Sequence, residues 1–342
     1  MKKKIAILGS TGSIGKTLIK ILKKDKKNFE ISLLTANKNI DELFKQVKIF
    51  KVKNIIITNR EKYLISKKKF KNKNIKIFNN FKSIKSIFNN KKVDYTMNSL
   101  VGIEGLKPTL EIIKYTRNIA IANKESIICG WPLINIELNK HKTKFIPIDS
   151  EHFSIWSLIH NIKSKDIEKI FITASGGPFN YLPLNKFTKI TPKKALKHPS
   201  WKMGKKISID SATMMNKVFE VIEAKKIFDL EYNKIEILVH PKSYVHAIVK
   251  FKNGLTKILI HETDMTIPIF NSIYPNFQKK IFSKKINLDI LNDLNFNPVN
   301  IKKFPVVKVL DMLPDNHSLF ETIIVAANDA LVNMFLNKKI RF

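Results

Sequence analysis

Residues 4–8, KIAIL, form a short apolar run that ends directly in Gly9-Ser-Thr-Gly12-Ser-Ile-Gly15, and residues 16–24 then carry Leu18, Ile19, Ile21 and Leu22 at helical spacing. Strand, glycine turn and helix in that order leave few folds open. The glycines permit a tight turn and a close backbone approach, and the helix behind them offers unpaired N–H groups and the positive end of its dipole to an anion. The pattern predicts the first βα unit of a dinucleotide-binding sheet. Its spacing is GxxGxxG rather than GxGxxG, so the flanking strand and helix carry the reading as much as the glycines do.

The same rhythm continues. Phe29–Leu34 and residues 54–58, 75–78, 93–98 and 118–122 read as strands with helix-like stretches between them. That alternation predicts a Rossmann-like, doubly wound parallel sheet. Where the second strand ends, a domain that binds NAD usually places an acid for the ribose hydroxyls. Here the chain has Thr35-Ala36-Asn37-Lys38-Asn39, without an acid and with one cation. Amides and a lysine suit a 2′-phosphate, so NADPH is preferred over NADH.

Residues 144–148 are a further strand leading into Asp149-Ser150-Glu151; a helix, the strand Ile170–Ala174 and the turn Gly176-Gly177-Pro178 follow. Strand candidates at Glu236–Val239 and Val245–Phe251 complete a second α/β region. Residues 275–305 mix Lys, Asn and Pro with weak periodicity, and from about Phe304 the pattern turns helical. The expected division is therefore a dinucleotide domain over 1–148, a catalytic α/β domain over 149–274, a linker over 275–303 and a short C-terminal helical domain over 304–342.

The net charge of +34 points at first to nucleic acid. Of 62 basic residues, however, only Arg60, Arg117 and Arg341 are arginine, the side chain suited to bidentate reading of phosphates and bases. The lysines are spread along the chain beside abundant Asn and Ile, as an A+T-biased genome would write permissive surface positions. Clusters such as Lys67–Lys73 and Lys82–Lys92 read as solvated faces, and no dedicated nucleic-acid partner is expected. A single cysteine, Cys129, excludes an internal disulfide. No apolar run near 18 residues and no signal-peptide pattern are present, so a cytoplasmic protein without a membrane partner is expected.

Chemistry concentrates elsewhere. His198 to Glu220, HPSWKMGKKISIDSATMMNKVFE, sets Trp201 and three methionines among Lys, His, Ser, Asn and Glu. Such a mixture suits a phosphorylated polyol covered by an indole. Asp149 and Glu151, two apart, would leave an extended strand on one face and offer hard oxygen ligands to Mg²⁺ or Mn²⁺. A helix from about Ser211 would align Asn216, Glu220 and Glu223 by i, i+4 and i+7 spacing, with Lys217 beside them. Spacing alone leaves an ordinary amphipathic helix and a D-x-E surface turn open as alternatives. Together, the dinucleotide turn, the acidic pair and the Lys/Ser cluster imply metal-assisted reduction of a sugar-like phosphate.

GSTGSIG near the N-terminus, ANKES at 122–126, PIDSEH at 147–152, SGGPF at 175–179 and HPSWKMGKKISIDSATMMNK at 198–217 resemble the 1-deoxy-D-xylulose 5-phosphate reductoisomerase family. HETDMTIPI at 261–269 and AAND at 326–329 extend the likeness along the whole chain. The resemblance implies rearrangement of 1-deoxy-D-xylulose 5-phosphate followed by NADPH-dependent reduction to 2-C-methyl-D-erythritol 4-phosphate, a step of the non-mevalonate route to isoprenoid precursors. It makes Asp149, Glu151 and Glu220 the metal ligands, and these three with Lys124 the catalytic set. Lys124 and Ser150 would hold the reacting oxygens. Ser175, Ser211, Asn216 and Lys217 would bind phosphate and hydroxyls beneath His198, with Trp201 and Met203 on a closing loop over 198–206. Cofactor contacts would come from Ser10, Thr11, Gly12, Ser13, Ile14, Ala36, Asn37, Lys38, Asn39, Asn123, Glu125 and Gly204. The resemblance further implies a homodimer.

Three departures accompany this likeness. Asn37 stands where the family commonly has glycine, and Val218 replaces a small residue after Lys217. The chain ends at Lys338-Lys-Ile-Arg-Phe342, ahead of the family's usual end, which predicts lowered stability or altered assembly with activity kept. Two other readings are a reductase acting on a sugar phosphate without rearrangement, and an inactive relic or basic nucleic-acid binder. The intact polar set from Lys124 to Glu220 argues against the relic.

Overall fold

In a computed structural model of the chain, the structure describes residues 1–71, 74–199, 201, 203–275, 279–316 and 318–342. The chain forms two compact units, Met1–Asp149 with Pro268–Lys280, and Ser150–Ile267 with Ile281–Phe342.

The first unit alternates strands and helices from its start. β1 (Lys3–Leu8), α1 (Ser13–Lys24), β2 (Phe29–Ala36), α2 (Ile40–Phe50), β3 (Asn54–Ile57), α3 (Arg60–Lys69) and β4 (Lys76–Phe78) build one half. α4 (Ile84–Phe88), β5 (Val93–Asn98), α5 (Leu106–Ile113), β6 (Thr116–Ile121), α6 (Lys124–His141) and β7 (Lys144–Pro147) build the other. The strands run parallel in the order β4-β3-β2-β1-β5-β6-β7. β1 sits in the middle, where helices cover both faces, and its Ile5, Ala6, Ile7 and Leu8 are all fully buried. The order reverses beside β1, and the glycine turn lies at that strand's carboxyl end, the usual ligand crevice of a doubly wound sheet.

The second unit holds α7 (Ser150–Leu158), β8 (Ile167–Ala174), α8 (Pro192–Ala195), α9 (Lys205–Ala212), α10 (Met215–Phe228), β9 (Ile235–Val239), β10 (Val245–Phe251) and β11 (Thr256–Ile260). After α11 (Thr266–Ile273) come α12 (Leu288–Asn292), β12 (Asn297–Pro298), a 3₁₀ stretch (Pro305–Met312) and α13 (Phe320–Leu336). The sheet is mixed, in the order β11-β10-β8-β9-β12, with only the β8–β9 pair parallel. Val221, Ala224 and Phe228 of α10 pack on Ile170, Ile172, Ile237 and Val249 of this sheet, and that core holds the polar face of α10 in place.

Several local expectations need correcting. The segment that reads as a linker contributes α12 and the edge strand β12, whose Pro298 stands at the sheet margin where a missing N–H is tolerated. Residues 268–280 return to the first unit, where Tyr274 donates to Asp25 at 2.7 Å and Tyr95 pairs with Ser272 at 2.7 Å. The chain does not run extended through Asp149–Glu151, because β7 stops at Pro147 and α7 begins at Ser150. The helix expected from Ser211 is two helices, broken where Met214 adopts a left-handed φ of 68°.

Candidate active site

α2, α3 and α6 are each capped by an asparagine (Asn39, Asn59 and Asn123), whose side-chain oxygen accepts the N–H of Glu42, Lys62 and Ser126 respectively. α1 is different. Its N-cap is Gly12, with no side-chain hydrogen bond and no acid in the first turn, so its leading N–H groups remain for a ligand. A Cβ on Gly15 would lie 2.5 Å from the Gly9 carbonyl oxygen, so only glycine lets α1 start this close to the turn. The turn is tied to the end of β2: Gly9 N–H donates to Thr35 Oγ1 at 2.8 Å and Ser10 N–H to Thr35 O at 2.9 Å. Ser10 is buried, whereas Gly12 and Ser13 are exposed and Thr11 and Ile14 half-buried.

Beside the turn, Ala36 is buried and Asn37, Lys38 and Asn39 are exposed. Asn37 donates to Thr58 Oγ1 at 2.7 Å, a contact glycine could not make. Asn123 and Glu125 are buried at the head of α6. The Asn123 amide is fully engaged, accepting from Ser126 and donating to the carbonyls of Leu100 and Gly102 at 2.9 and 3.0 Å. An uncapped helix start beside an exposed Asn-Lys-Asn run fits the diphosphate and 2′-phosphate of NADPH.

Lys124, the first residue of α6, is 8% exposed and its Nζ lies 2.9 Å from Asp149 Oδ2. The next peptide bond leads into Ser150 and the second unit. There, Lys217 projects from α10 between two carboxylates, donating to Glu151 of α7 and to Glu220 one turn along its own helix. Glu220 also accepts from Asn216, and Glu151 from Ser150 Oγ. Burial alone would lower the pKa of Lys217; the charges of Glu151 and Glu220 outweigh it and hold the ammonium above the ordinary lysine value. Glu220 is 1% exposed. Two carboxylates, Glu220 buried and Glu151 half-buried, converging on one cation are the donor set a hard divalent ion takes, and they fit Mg²⁺.

The phosphate-type residues converge as well. Ser175, Gly176, Gly177, Ser211, Asn216 and Lys217 line one cavity of about 20 Å³. A Cβ on Gly177 (φ 68°) would lie 2.6 Å from the Ser211 carbonyl oxygen, so glycine is required for the turn after β8 to meet α9. Trp201 N–H donates to His198 Nδ1 at 2.9 Å, which leaves Nε2–H to donate to Ser175 Oγ at 3.2 Å. Ser175 Oγ also accepts Gly177 N–H at 3.1 Å, so its own proton points elsewhere. Burial, then the charge of Lys217, lowers the His198 pKa to about 4, and the imidazole is neutral at neutral pH.

Met203 is half-buried and Gly204 exposed at the start of α9; Ser200 and Lys202 of the expected loop lie outside the described residues, as do Asn72 and Lys73 of the first basic cluster. Val218 is fully buried in α10. A cavity of about 610 Å³ in this unit is apolar, lined among others by Phe187, Val306, Leu331 and Phe335, and its lining includes none of Glu151, Lys217 and Glu220.

Some supporting residues escape sequence reasoning. His152 Nε2–H donates to the backbone oxygen of Glu220 at 2.9 Å and its Nδ1 lies 3.7 Å from Glu223, locking α7 to α10 so that Glu151 and Glu220 face each other. Its place in PIDSEH, three residues after Asp149, is the only signal the sequence carries.

A doubly wound dinucleotide-type sheet in one unit and a carboxylate–lysine–serine site in the other define a metal-dependent α/β oxidoreductase of phosphorylated substrates. Comparison with known proteins narrows this class. Family models of 1-deoxy-D-xylulose 5-phosphate reductoisomerase match residues 5–130, and those of its C-terminal domains match 145–228 and 260–342. The reductoisomerase of Pelagibacter ubique (strain HTCC1062) is 63% identical over 99% of this chain and 88% of its own length. That of Wolbachia pipientis wMel is 40% identical over 99% of this chain and 87% of its own. Among solved structures, the Zymomonas mobilis enzyme in complex with NADPH superposes with a TM-score of 0.90 at 31% identity, covering 100% of this chain and 88% of that one. A reductoisomerase in complex with NADPH, fosmidomycin and magnesium gives the same TM-score and identity over 99% and 86%. This chain belongs to the 1-deoxy-D-xylulose 5-phosphate reductoisomerase family.

Proposed function

We propose that the chain converts 1-deoxy-D-xylulose 5-phosphate to 2-C-methyl-D-erythritol 4-phosphate, using NADPH and a divalent metal. The observation that carries this reading is the Lys217 ammonium held between Glu151 and Glu220, beside a cavity lined by Ser175, Ser211 and Asn216. Asp149, two residues before Glu151, completes the ligand set with Glu151 and Glu220. When bound, the metal supplies Lewis-acid polarisation of the substrate's oxygens and NADPH supplies the hydride.

The residues themselves bind, orient and exclude water. Ser175 accepts two hydrogen bonds and so presents its hydroxyl proton to the phosphate, joined by Ser211 and Asn216. Neutral His198 fixes that hydroxyl without adding a charge. With Glu151 and Glu220 holding a metal, the Lys217 ammonium would be free to turn to the substrate. Lys124 and Ser150 hold the reacting oxygens as the carbon skeleton rearranges. Trp201 and Met203 cover the substrate, which strengthens every electrostatic contact beneath them. Ser10 to Ile14, Ala36 to Asn39, Asn123, Glu125 and Gly204 are the cofactor's contacts.

In this reading residues 1–148 serve the nucleotide and 149–274 the chemistry, manganese substitutes for magnesium, and the enzyme works as a cytoplasmic homodimer without a nucleic-acid partner. Among the described residues no helix is long and apolar enough to cross a membrane. The test is NADPH oxidation with 1-deoxy-D-xylulose 5-phosphate, with and without Mg²⁺ or Mn²⁺. Metal-dependent oxidation yielding the branched tetrol phosphate is expected. Turnover of the isolated aldehyde but not of the ketose phosphate would instead mark a simple reductase. Light-scattering mass in solution tests the dimer.

A further inference from the structure

Two histidines that this chemistry leaves unused lie one upon the other in the second unit. The pairing of β10 with β11 shifts register between Val245 and Ala247, leaving His246 as the bulged residue, and such bulges re-aim a side chain. His261 follows β11, its N–H bonded to Tyr244 O at 3.2 Å. The imidazoles stack with centroids 3.6 Å apart and planes 14° off parallel, and are 2% and 8% exposed. Each ring is pinned by one nitrogen. His246 Nε2–H donates to the His261 carbonyl at 3.1 Å, and His261 Nδ1–H to the Glu262 carbonyl at 2.7 Å. His261 Nε2 is buried without a hydrogen-bond partner among the described residues.

A buried acceptor with no donor is destabilising, so His261 is not held here for that nitrogen. What it offers its surroundings is a ring face, and the ring above carries a third. Trp201 stands edge-on to His246 at 6.1 Å and 74°, a favourable T-shaped arrangement. The backbone N–H of Trp201 is the one that fixes His198, and through it Ser175. A shift of the indole therefore reaches the cavity of Ser175, Ser211 and Lys217.

We propose that His261 is a positioning residue for the sugar-phosphate site: its ring face sets the plane of His246, and through His246 the seat of the Trp201 indole. The inference rests on reading residues 198–217 as substrate-binding. It assigns His261 a role through contact with another ring, not through contact with substrate.

The experiment is a double-mutant cycle read in KM and kcat for the sugar phosphate and KM for NADPH. His261→Ala should raise the sugar-phosphate KM by roughly two- to ten-fold, the worth of one aromatic contact, with kcat and the NADPH KM nearly unchanged. His261→Phe, which keeps the ring face and loses both the unpartnered nitrogen and the hydrogen bond to the Glu262 carbonyl, should stay within about two-fold of the parent if the face carries the effect. In a Trp201→Ala background, His261→Ala should add less than about two-fold, because the two act through one contact. His261→Leu serves in the cycle if the alanine variant does not fold.

A His261→Phe loss as large as that of His261→Ala would overturn the proposal, as would effects that simply multiply in the double variant. If the parent binds the sugar phosphate without turning it over, the functional reading alone fails and the same cycle is read in dissociation constants. If it does not bind at all, both fail.

Discussion

Replacing Lys217 by methionine tests the centre of the site. The side chain is nearly isosteric, so the change removes charge rather than volume. Lys217 is 7% exposed, and its partners Glu151 and Glu220 have side chains 12% and 1% exposed. Without the ammonium, two carboxylates are left together out of water. Breaking a buried pair in this way costs about 3–5 kcal/mol. For a unit the size of Ser150–Ile267 with Ile281–Phe342, each kcal/mol is worth roughly 2–4 °C, so the metal-free midpoint should fall by about 6–20 °C.

In the ligand set proposed above, magnesium would supply the missing positive charge. At about 100 times its dissociation constant it returns roughly 2.7 kcal/mol. The variant should gain more than the parent, whose ammonium competes for the same carboxylates. The pH arm has a defined sign. The folded-state pKa of Lys217 lies above its ordinary value of 10.5, so its contribution is complete below that value and disappears as pH rises through the folded pKa. The gap between parent and variant should therefore persist across neutral pH and close only in strong alkali. Thermal unfolding with and without Mg²⁺ measures all of this. Equal midpoints for the two proteins would refute the buried pair, and equal stabilisation by Mg²⁺ would refute the carboxylates as the metal's ligands.

Three further outcomes are expected. Glu220→Gln should lower turnover by more than about 100-fold while NADPH affinity, measured by fluorescence titration, stays near the parent's; a variant that keeps metal-dependent turnover would remove Glu220 from the ligand set. Burial lowers the pKa of His246 to about 3, so its stabilising contribution is whole above the unfolded value of 6.5 and is lost as pH falls below it; between pH 6.5 and 5 this removes at most about 2 kcal/mol from the metal-free protein, and a His246→Phe variant with the same acid slope would contradict the assignment. Lys226 and Glu321, paired at 3.1 Å with side chains 7% and 2% exposed, tie α10 to α13; Lys226→Met should cost about 3–5 kcal/mol in urea unfolding yet leave KM unchanged, and a raised KM would show that this contact also shapes the site.

Part of this arrangement is legible in the sequence. Asn216, Glu220 and Glu223 share a face of α10 because helical spacing alone puts them there. The glycine turn was legible for the same reason, since strand, turn and helix are local and adjacent. The break between α9 and α10 was not, because no glycine or proline marks it and Met214 carries the left-handed turn. The start of α7 at Ser150 is not legible in the sequence, because two residues between a strand and a helix leave no periodicity to read.

The sequence by itself determined the strand–helix alternation of the first unit, its parallel sheet, the glycine turn that opens α1 and the acid, amine and hydroxyl groups proposed above to bind phosphate and metal. All of these follow from neighbours a few residues apart. Tertiary structure decided which of those groups meet. Lys217 reaches Glu151 across 66 positions of chain because α7 and α10 are locked together through His152. His246 and His261 stack because a register shift turns one strand of a hairpin. Such pairings depend on how separate elements pack and how register is chosen. No local spacing encodes that choice, because each element can present the same face in many packings and only the folded core selects one.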